Sequence, residues 1–285
     1  MDYARFLSRT ALRRQPSPIR ALQPLVSRPG MISLGGGMPN PSLFPFTGIS
    51  LEVAGGHRLQ ATAADVREAL QYSPTPGLPE LVSRLSRMQQ GEHAPAAQVS
   101  TIVVPGSQDG LAKLFDALLE EGDALLVEEP TYSGSLAYLQ GKGCALVGVP
   151  TDAGGIDVAA LSRVLGSWDS AARGGKRRPR VLYTIPTGSN PTGASQSEAR
   201  KRELLAVARE FDLLLIEDDP CASERGGTSA ARVCTCTRKA LGAVVSWRRT
   251  VEARPLAPLS RTSPPHPPAP QTTTCSTRPP ARAAC

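Results

Sequence analysis

From about residue 100 to residue 220, short apolar runs alternate with stretches of helical periodicity, and that alternation admits few folds. Thr101-Ile102-Val103-Val104 reads as a strand ended by Pro105-Gly106. Leu111, Leu114, Phe115 and Leu118 then fall at i, i+3, i+4 and i+7, the stripe of an amphipathic helix. Further strands are predicted at Ala124–Val127, Ala145–Val149, Val181–Ile185 and Leu213–Ile216. Helices fit Tyr132–Gln140 and Asp157–Leu165, and a Ser195/Glu198 capping box opens one that runs to Phe211. The pattern implies a three-layer α/β/α domain around a mainly parallel, doubly wound sheet with right-handed crossovers. In such sheets ligands sit beyond the carboxyl ends of the strands. Gly106-Ser107, Pro130–Tyr132, Asn190 and Asp219 all fall just past predicted strand ends, so four separated segments contribute to one rim.

Charge separates the chain into two regions. Residues 1–220 carry 22 Lys+Arg against 23 Asp+Glu, whereas residues 221–285 carry 10 against 2. The overall +7 therefore belongs to the last part, and the near-neutral body gives no argument for nucleic acid. The last 65 residues also hold nine prolines, five of the six cysteines and only seven Leu, Ile, Val, Phe or Met. Such a stretch buries too little apolar surface to offset about 1–2 kcal/mol of backbone ordering entropy per residue, so 221–285 is expected to be a disordered basic tail. Cys234 and Cys236, one residue apart with no paired histidines nearby, do not have zinc-site spacing. No apolar run approaches the roughly 18 residues a bilayer requires, and the basic loop Arg173–Pro179 reads as a solvated surface. Arg5, Arg9, Arg13 and Arg14 interleave with Phe6, Leu7 and Leu12. That pattern suits a mitochondrial transit segment and equally an arm of the folded body.

Each rim segment has a chemical reading beside a structural one. Gly106-Ser107-Gln108 joins a strand to a helix, where unpaired N–H groups and the dipole can hold a phosphate; the same residues also make good turns and caps. Tyr132 could stack on a flat ring or pack as a rim tyrosine. Pro191 holds Asn190 extended and leaves its amide free to donate. Asp219, at a strand end and largely out of water, is costly without a cationic partner. A protonated pyridine nitrogen is such a partner, and it keeps that ring an electron sink. A loop or capping aspartate is the alternative.

Taken together, several motifs resemble the class I/II, fold type I aminotransferases that use pyridoxal 5'-phosphate (PLP). They are Gly106-Ser107-Gln108, Glu129-Pro130-Thr131-Tyr132-Ser133-Gly134, Ser189-Asn190-Pro191-Thr192-Gly193 and Ile216-Glu217-Asp218-Asp219-Pro220. Met1–Phe6, Pro16–Arg20, Met31–Leu34, Gly36–Pro41 and Leu70–Pro74 are similar to the branch of that family acting on kynurenine and 2-aminoadipate. The resemblance implies the fold type I large domain and PLP as cofactor. Ser107 and Gln108 would hold the phosphate, Tyr132 would stack on the ring, Asn190 would bond the ring hydroxyl oxygen and Asp219 the pyridine nitrogen. Arg20 and Gly37 would line the substrate side, and Tyr72 would reach into the partner's site of a homodimer. The substrates would be an amino acid and a 2-oxo acid, in the mitochondrial matrix or, alternatively, the cytoplasm. Residues 1–60 would form an N-terminal arm and substrate-side segment, 61–220 a partial PLP-binding domain, and 221–285 the tail.

After Pro220 the resemblance ends. The family's tyrosine three residues beyond the pyridine aspartate is replaced by Ala222, counting from Asp219, and no serine-x-x-lysine strand follows. Of five lysines only Lys239 lies downstream, with Cys236 where the serine belongs. The expectation is an incomplete sheet, no Schiff-base lysine and no catalytic residue, as in a family member cut short by a splicing change, frameshift or gene-model error. A non-catalytic isoform that binds PLP weakly or pairs with a full-length subunit is the second reading.

Overall fold

A computed structural model describes residues 3–26, 28–32, 37–93, 99–220 and 244–248. The chain divides into two compact units, Met1–Glu252 and Ala253–Cys285, and every described residue lies in the first. The N-terminal part holds α1 (Arg9–Arg13), α2 (Pro18–Val26), an antiparallel hairpin of β1 (Ser50–Val53) and β2 (His57–Gln60), α3 (Ala63–Ala69) and α4 (Pro79–His93). Next come α5 (Ser107–Leu118), β3 (Ala124–Glu129), α6 (Ser133–Gln140), β4 (Ala145–Asp152) and β5 (Gly155–Ile156). Last are α7 (Val158–Gly166), β6 (Val181–Thr184), α8 (Glu198–Glu210), β7 (Leu214–Asp219) and β8 (Val244–Arg248).

The main sheet runs in the order β5-β4-β3-β6-β7-β8. Its four central strands are parallel, while β5 and β8 pair antiparallel at the two edges. Because successive side chains on a strand face opposite ways, each strand feeds two cores. Leu125, Val127, Val181, Tyr183, Leu214 and Ile216 pack with Phe115 and Leu118 of α5 and Leu139 of α6. Leu126, Leu182 and Leu215 pack on the other face with Leu161 and Leu165 of α7 and Leu204 of α8. The result is the α/β/α sandwich read from the sequence, with each fully buried Leu or Phe contributing about 1.5–3 kcal/mol.

Two expectations are corrected. Thr101–Val104 forms no strand: Ile102 is 62% exposed, and the Val103 N–H donates instead to the Pro76 carbonyl at 2.8 Å. A strand needs a neighbour's backbone to complete its ladder, and no described strand runs beside this segment. Helix α8 is capped by Ser197, whose side chain accepts from the Arg200 N–H. Ser195 Oγ accepts from the Gly188 N–H, so it holds the preceding loop and forms no capping box. Within the expected tail, Val244–Arg248 pairs with Leu215–Asp219. The outer edge of β7 presents unpaired N–H and C=O groups, a template that a segment of β-branched and aromatic residues can complete. The rest of 221–285, Lys239 included, lies outside the described residues.

The arginine-rich N-terminus is an arm docked on this body. Phe6 is buried in the α5/α6 core, Ser8 caps α1 and its N–H donates to the Ala117 carbonyl, and Arg9 binds Glu120 at 2.9 Å. Arg5 bonds Asp212 at 2.6 Å. Truncating Phe6 to alanine is expected to lower the urea-unfolding free energy by about 3–5 kcal/mol. A loss below about 1 kcal/mol would place the arm outside the cooperative core.

Candidate functional site

From β3 the chain steps outward through α6 to β4, then returns past β3 to β6 and on through α8 to β7. The strand order reverses between β3 and β6, and a ligand of an open α/β sheet binds in the crevice outside the carboxyl ends at such a point. Helix α5 brings a helix N-terminus to the same rim. Its last turn, Leu118 and Leu119, lines a shallow pocket with Ala124 and Val181, the first residues of β3 and β6. Twelve residues of helix rise about 18 Å, so Ser107 and Gln108 stand near the strands' carboxyl ends.

Tyr132 is the N-cap residue of α6 and packs against the α5/α6 core. A Cβ on Gly134 would lie 2.4 Å from Tyr132 Cζ, so the glycine lets the ring lie over the first turn of the helix. Beyond β6, residues 189–194 close a turn through the Ser189 N–H to the Ala194 carbonyl (2.8 Å) and the Gly193 N–H to the Ser189 carbonyl (2.5 Å). Asn190 is exposed at its tip.

That turn is tied to β3 by Glu128, a carboxylate only 1% exposed. Thr184 Oγ1 (2.5 Å), the Ile185 N–H (3.3 Å), Ser189 Oγ (3.1 Å) and Gln196 Nε2 (3.5 Å) all donate to it. Burial pushes its carboxyl above the usual range, and these four donors pull partly back. The sequence reading missed Glu128; its only signal is an acid at the end of the apolar run Leu125–Val127.

Strand alternation separates the two aspartates that end β7. Leu214 and Ile216 face α5 and α6, so Asp218 does too, whereas Leu213 and Leu215 face α7 and α8, which puts Asp219 on that side. Asp218 thus lies on the α5/α6 side, while Asp219, read from the sequence as the partner of the ring nitrogen, keeps Oδ1 buried without a hydrogen-bond partner. Asp218 is 7% exposed and accepts from the Tyr183 hydroxyl at 2.9 Å. Its carboxyl is pushed up first by burial and also by the charge of Asp219, with the tyrosine bond opposing.

Several buried polar atoms at this rim lack a hydrogen-bond partner: Gln108 Oε1, Thr131 Oγ1 and Asp219 Oδ1. Such atoms are rare in folded proteins, and these come from three segments ending at one rim. A polar ligand with a phosphate and a cationic ring nitrogen suits that set of helix terminus, hydroxyl, amide and carboxylates.

The substrate-side residues read from the sequence lie on the N-terminal part. Arg20 is exposed on α2 and Gly37 is exposed with φ 61°. Tyr72, 66% exposed, lines a cavity of about 430 Å³ with Pro41, Arg67 and Gln71. None of Ser107, Gln108, Tyr132, Asn190 or Asp218 borders that cavity.

Comparison with known proteins gives a consistent picture. The family described as aminotransferase class I and II matches residues 52–220. The mitochondrial kynurenine/alpha-aminoadipate aminotransferases of Mus musculus and Rattus norvegicus are 40% and 42% identical over 232 residues, 77% of this chain and 55% of each relative. The crystal structure of aminotransferase Aro8 from Candida albicans superposes with a TM-score of 0.69 at 29% identity, covering 77% of this chain and 50% of that one. The chain spans about half the length of the curated relatives it matches.

A pH experiment checks the Glu128 network. A carboxyl raised in the folded state binds its proton more tightly there than in the unfolded chain. Its contribution is therefore present below the unfolded value of about 4.3 and lost as pH rises through the folded value. The stability of the natural chain relative to Glu128→Gln should fall as pH rises from about 4 towards neutrality. A difference flat across that range would contradict the burial argument.

Proposed function

Because the chain belongs to the class I and II aminotransferase family, we propose that its switch-point rim is a binding site for pyridoxal 5'-phosphate, the cofactor this family implies. When bound, that cofactor supplies an electron sink for a carbanion at the substrate's α-carbon. The observation that carries the reading is the meeting, at one reversal of strand order, of a helix N-terminus, a ring-bearing cap residue, an asparagine turn and a carboxylate with a buried, unpartnered oxygen. The N–H groups at Ser107 and Gln108 would hold the phosphate. Tyr132 would cover one ring face, Asn190 would donate to the ring oxygen, and Asp219, with Oδ1 buried and unpartnered, would keep the ring nitrogen protonated through a charge-assisted bond.

The natural reaction class of the site is transfer of an amino group from kynurenine or 2-aminoadipate to 2-oxoglutarate. The names of the mouse and rat relatives support the amino-acid substrates and, with them, a mitochondrial location. In this chain the step would lack its base. Lys113 and Lys142 pair with Asp109 and Asp116, Lys176 sits in the loop before β6, and Lys201 lies on α8. Among the described residues no lysine stands at the rim; on that reading no amine moves the α-proton, and the chain would hold the cofactor and not turn over.

A second reading, a subunit that pairs with a complete copy, is favoured by the apolar surface of the N-terminal part. Ile19, Ile32, Leu43, Phe46 and Tyr72 are all more than half exposed. Patches of this kind mark association surfaces. Sedimentation of the chain alone and mixed with a complete family member would show a mixed dimer if it holds.

Binding of pyridoxamine phosphate, followed by its fluorescence, tests the main proposal. Asp219→Asn should weaken binding about 10- to 100-fold, the equivalent of one lost charged hydrogen bond, and Asp218→Asn should have a smaller effect. Borohydride treatment of the chain with PLP should leave no lysine-linked adduct. A reduced adduct on any lysine, or an Asp218→Asn loss exceeding that of Asp219→Asn, would contradict these assignments.

A further inference from the structure

The loop from β6 to α8 carries Asn190 at its tip, and its own bonds make it a stiff unit. The Gln196 N–H donates to the Pro186 carbonyl at 2.9 Å, Ser195 Oγ accepts from the Gly188 N–H at 2.9 Å, and the Ser189 N–H donates to the Ala194 carbonyl at 2.8 Å. Such rungs fix the loop's shape, but a stiff loop can still swing about its base. Its direction needs a contact with another element. Glu128 of β3 supplies one, and its two oxygens are used differently. Oε1 accepts from Thr184 Oγ1, the Ile185 N–H and Gln196 Nε2, all at the base of the loop. Oε2 accepts from Ser189 Oγ at 3.1 Å, directly beside Asn190. Ser189 is only 3% exposed, whereas Asn190 stands out in solvent. An ionised carboxylate accepts and cannot donate, so the serine proton is committed to it, and a bond to a charged acceptor is roughly twice as strong as a neutral one.

We propose that Glu128 and Ser189 are positioning residues: the bond between Glu128 Oε2 and Ser189 Oγ aims the Asn190 amide at the oxygen of the cofactor ring. The proposal rests on Asn190 meeting that oxygen, as in the proposed function. The spacing along β3 explains why the anchor is there. Four residues after Glu128 the same segment carries Tyr132, the side chain assigned to the ring face. One carboxylate therefore sets the separation between the group that covers the ring and the group that recognises its oxygen. Swinging the loop by an ångström would leave Asn190 in place on the chain and out of reach of a hydrogen bond, which weakens steeply beyond about 3.2 Å. The hydroxyl at position 189 is needed for aim, and it need not touch the ligand.

The test compares binding of pyridoxamine phosphate and of its 3-deoxy analogue, which lacks the ring oxygen, to the full chain. The natural chain should prefer pyridoxamine phosphate roughly tenfold, the equivalent of one hydrogen bond to a charged group. Ser189→Ala should bring that preference close to one. A merely structural loss would weaken both ligands alike and keep the preference, and that result overturns the proposal. In Asn190→Ala, adding Ser189→Ala should cost no further affinity for pyridoxamine phosphate, whereas additive losses would show that the two residues act separately. Equal binding of the two ligands by the natural chain removes the role of Asn190 and overturns the proposal with it. Without ligand, 15N relaxation should show the Asn190 amide more mobile in Ser189→Ala than in the natural chain, and unchanged order there overturns the anchor. If the natural chain binds neither ligand, the proposed function fails, while the ligand-free relaxation still judges the anchor by itself.

Discussion

A buried carboxylate at the point where the sheet reverses its winding holds the rim together. Glu128 leaves β3 on the α7/α8 side and gathers donors from the end of β6, the loop after it and the residue leading into α8. Without those bonds a charge taken almost wholly out of water would be untenable. With them, the turn carrying Asn190 is fixed against the strand whose extension carries Tyr132. The position of two proposed ligand-facing side chains thus depends on a residue that faces no ligand itself. Gln196 reinforces the arrangement, since its amide also donates to Thr184 Oγ1 at 3.1 Å and its N–H to the Pro186 carbonyl at 2.9 Å.

The two faces of the sheet divide the labour. Glu128, Thr184 and Gln196 are joined on the α7/α8 side, and Asp218, Tyr183 and Ser135 on the α5/α6 side. Alternation along each strand makes this separation automatic, and it also makes a one-residue misassignment costly. Asp218 and Asp219 are adjacent and chemically identical, yet a shift of one residue moves the carboxylate across the sheet.

Much of the central domain was legible in the sequence because its strands and helices carry strong, short-range signals. Leu111, Leu114, Phe115 and Leu118 mark α5 by spacing alone, and Leu125–Val127 and Leu213–Ile216 are apolar on both sides, as strands covered by helices must be. Thr101–Val104 shows the limit. Its residues suit a strand, but a strand is made by its neighbour, and propensity does not supply one. Val244–Arg248 shows the reverse: a poor composition overall conceals five residues that the open edge of β7 can accept. At the site, Ser107, Tyr132 and Asn190 were found from turn chemistry. Glu128, Tyr183 and Ser135 were not, because their importance lies in contacts 35 to 68 residues apart in the chain.

Everything functional in this account depends on a phosphate-bearing ring lying across the β3/β6 crevice with its nitrogen towards Asp219. A crystal structure of the chain grown with pyridoxamine phosphate tests that most directly. The expected density has the phosphate at the Ser107 end of α5, the ring beside Tyr132, and the ring nitrogen within about 3 Å of an Asp219 oxygen. Density with the ring nitrogen away from Asp219, or bound instead in the cavity beside Tyr72, would contradict it.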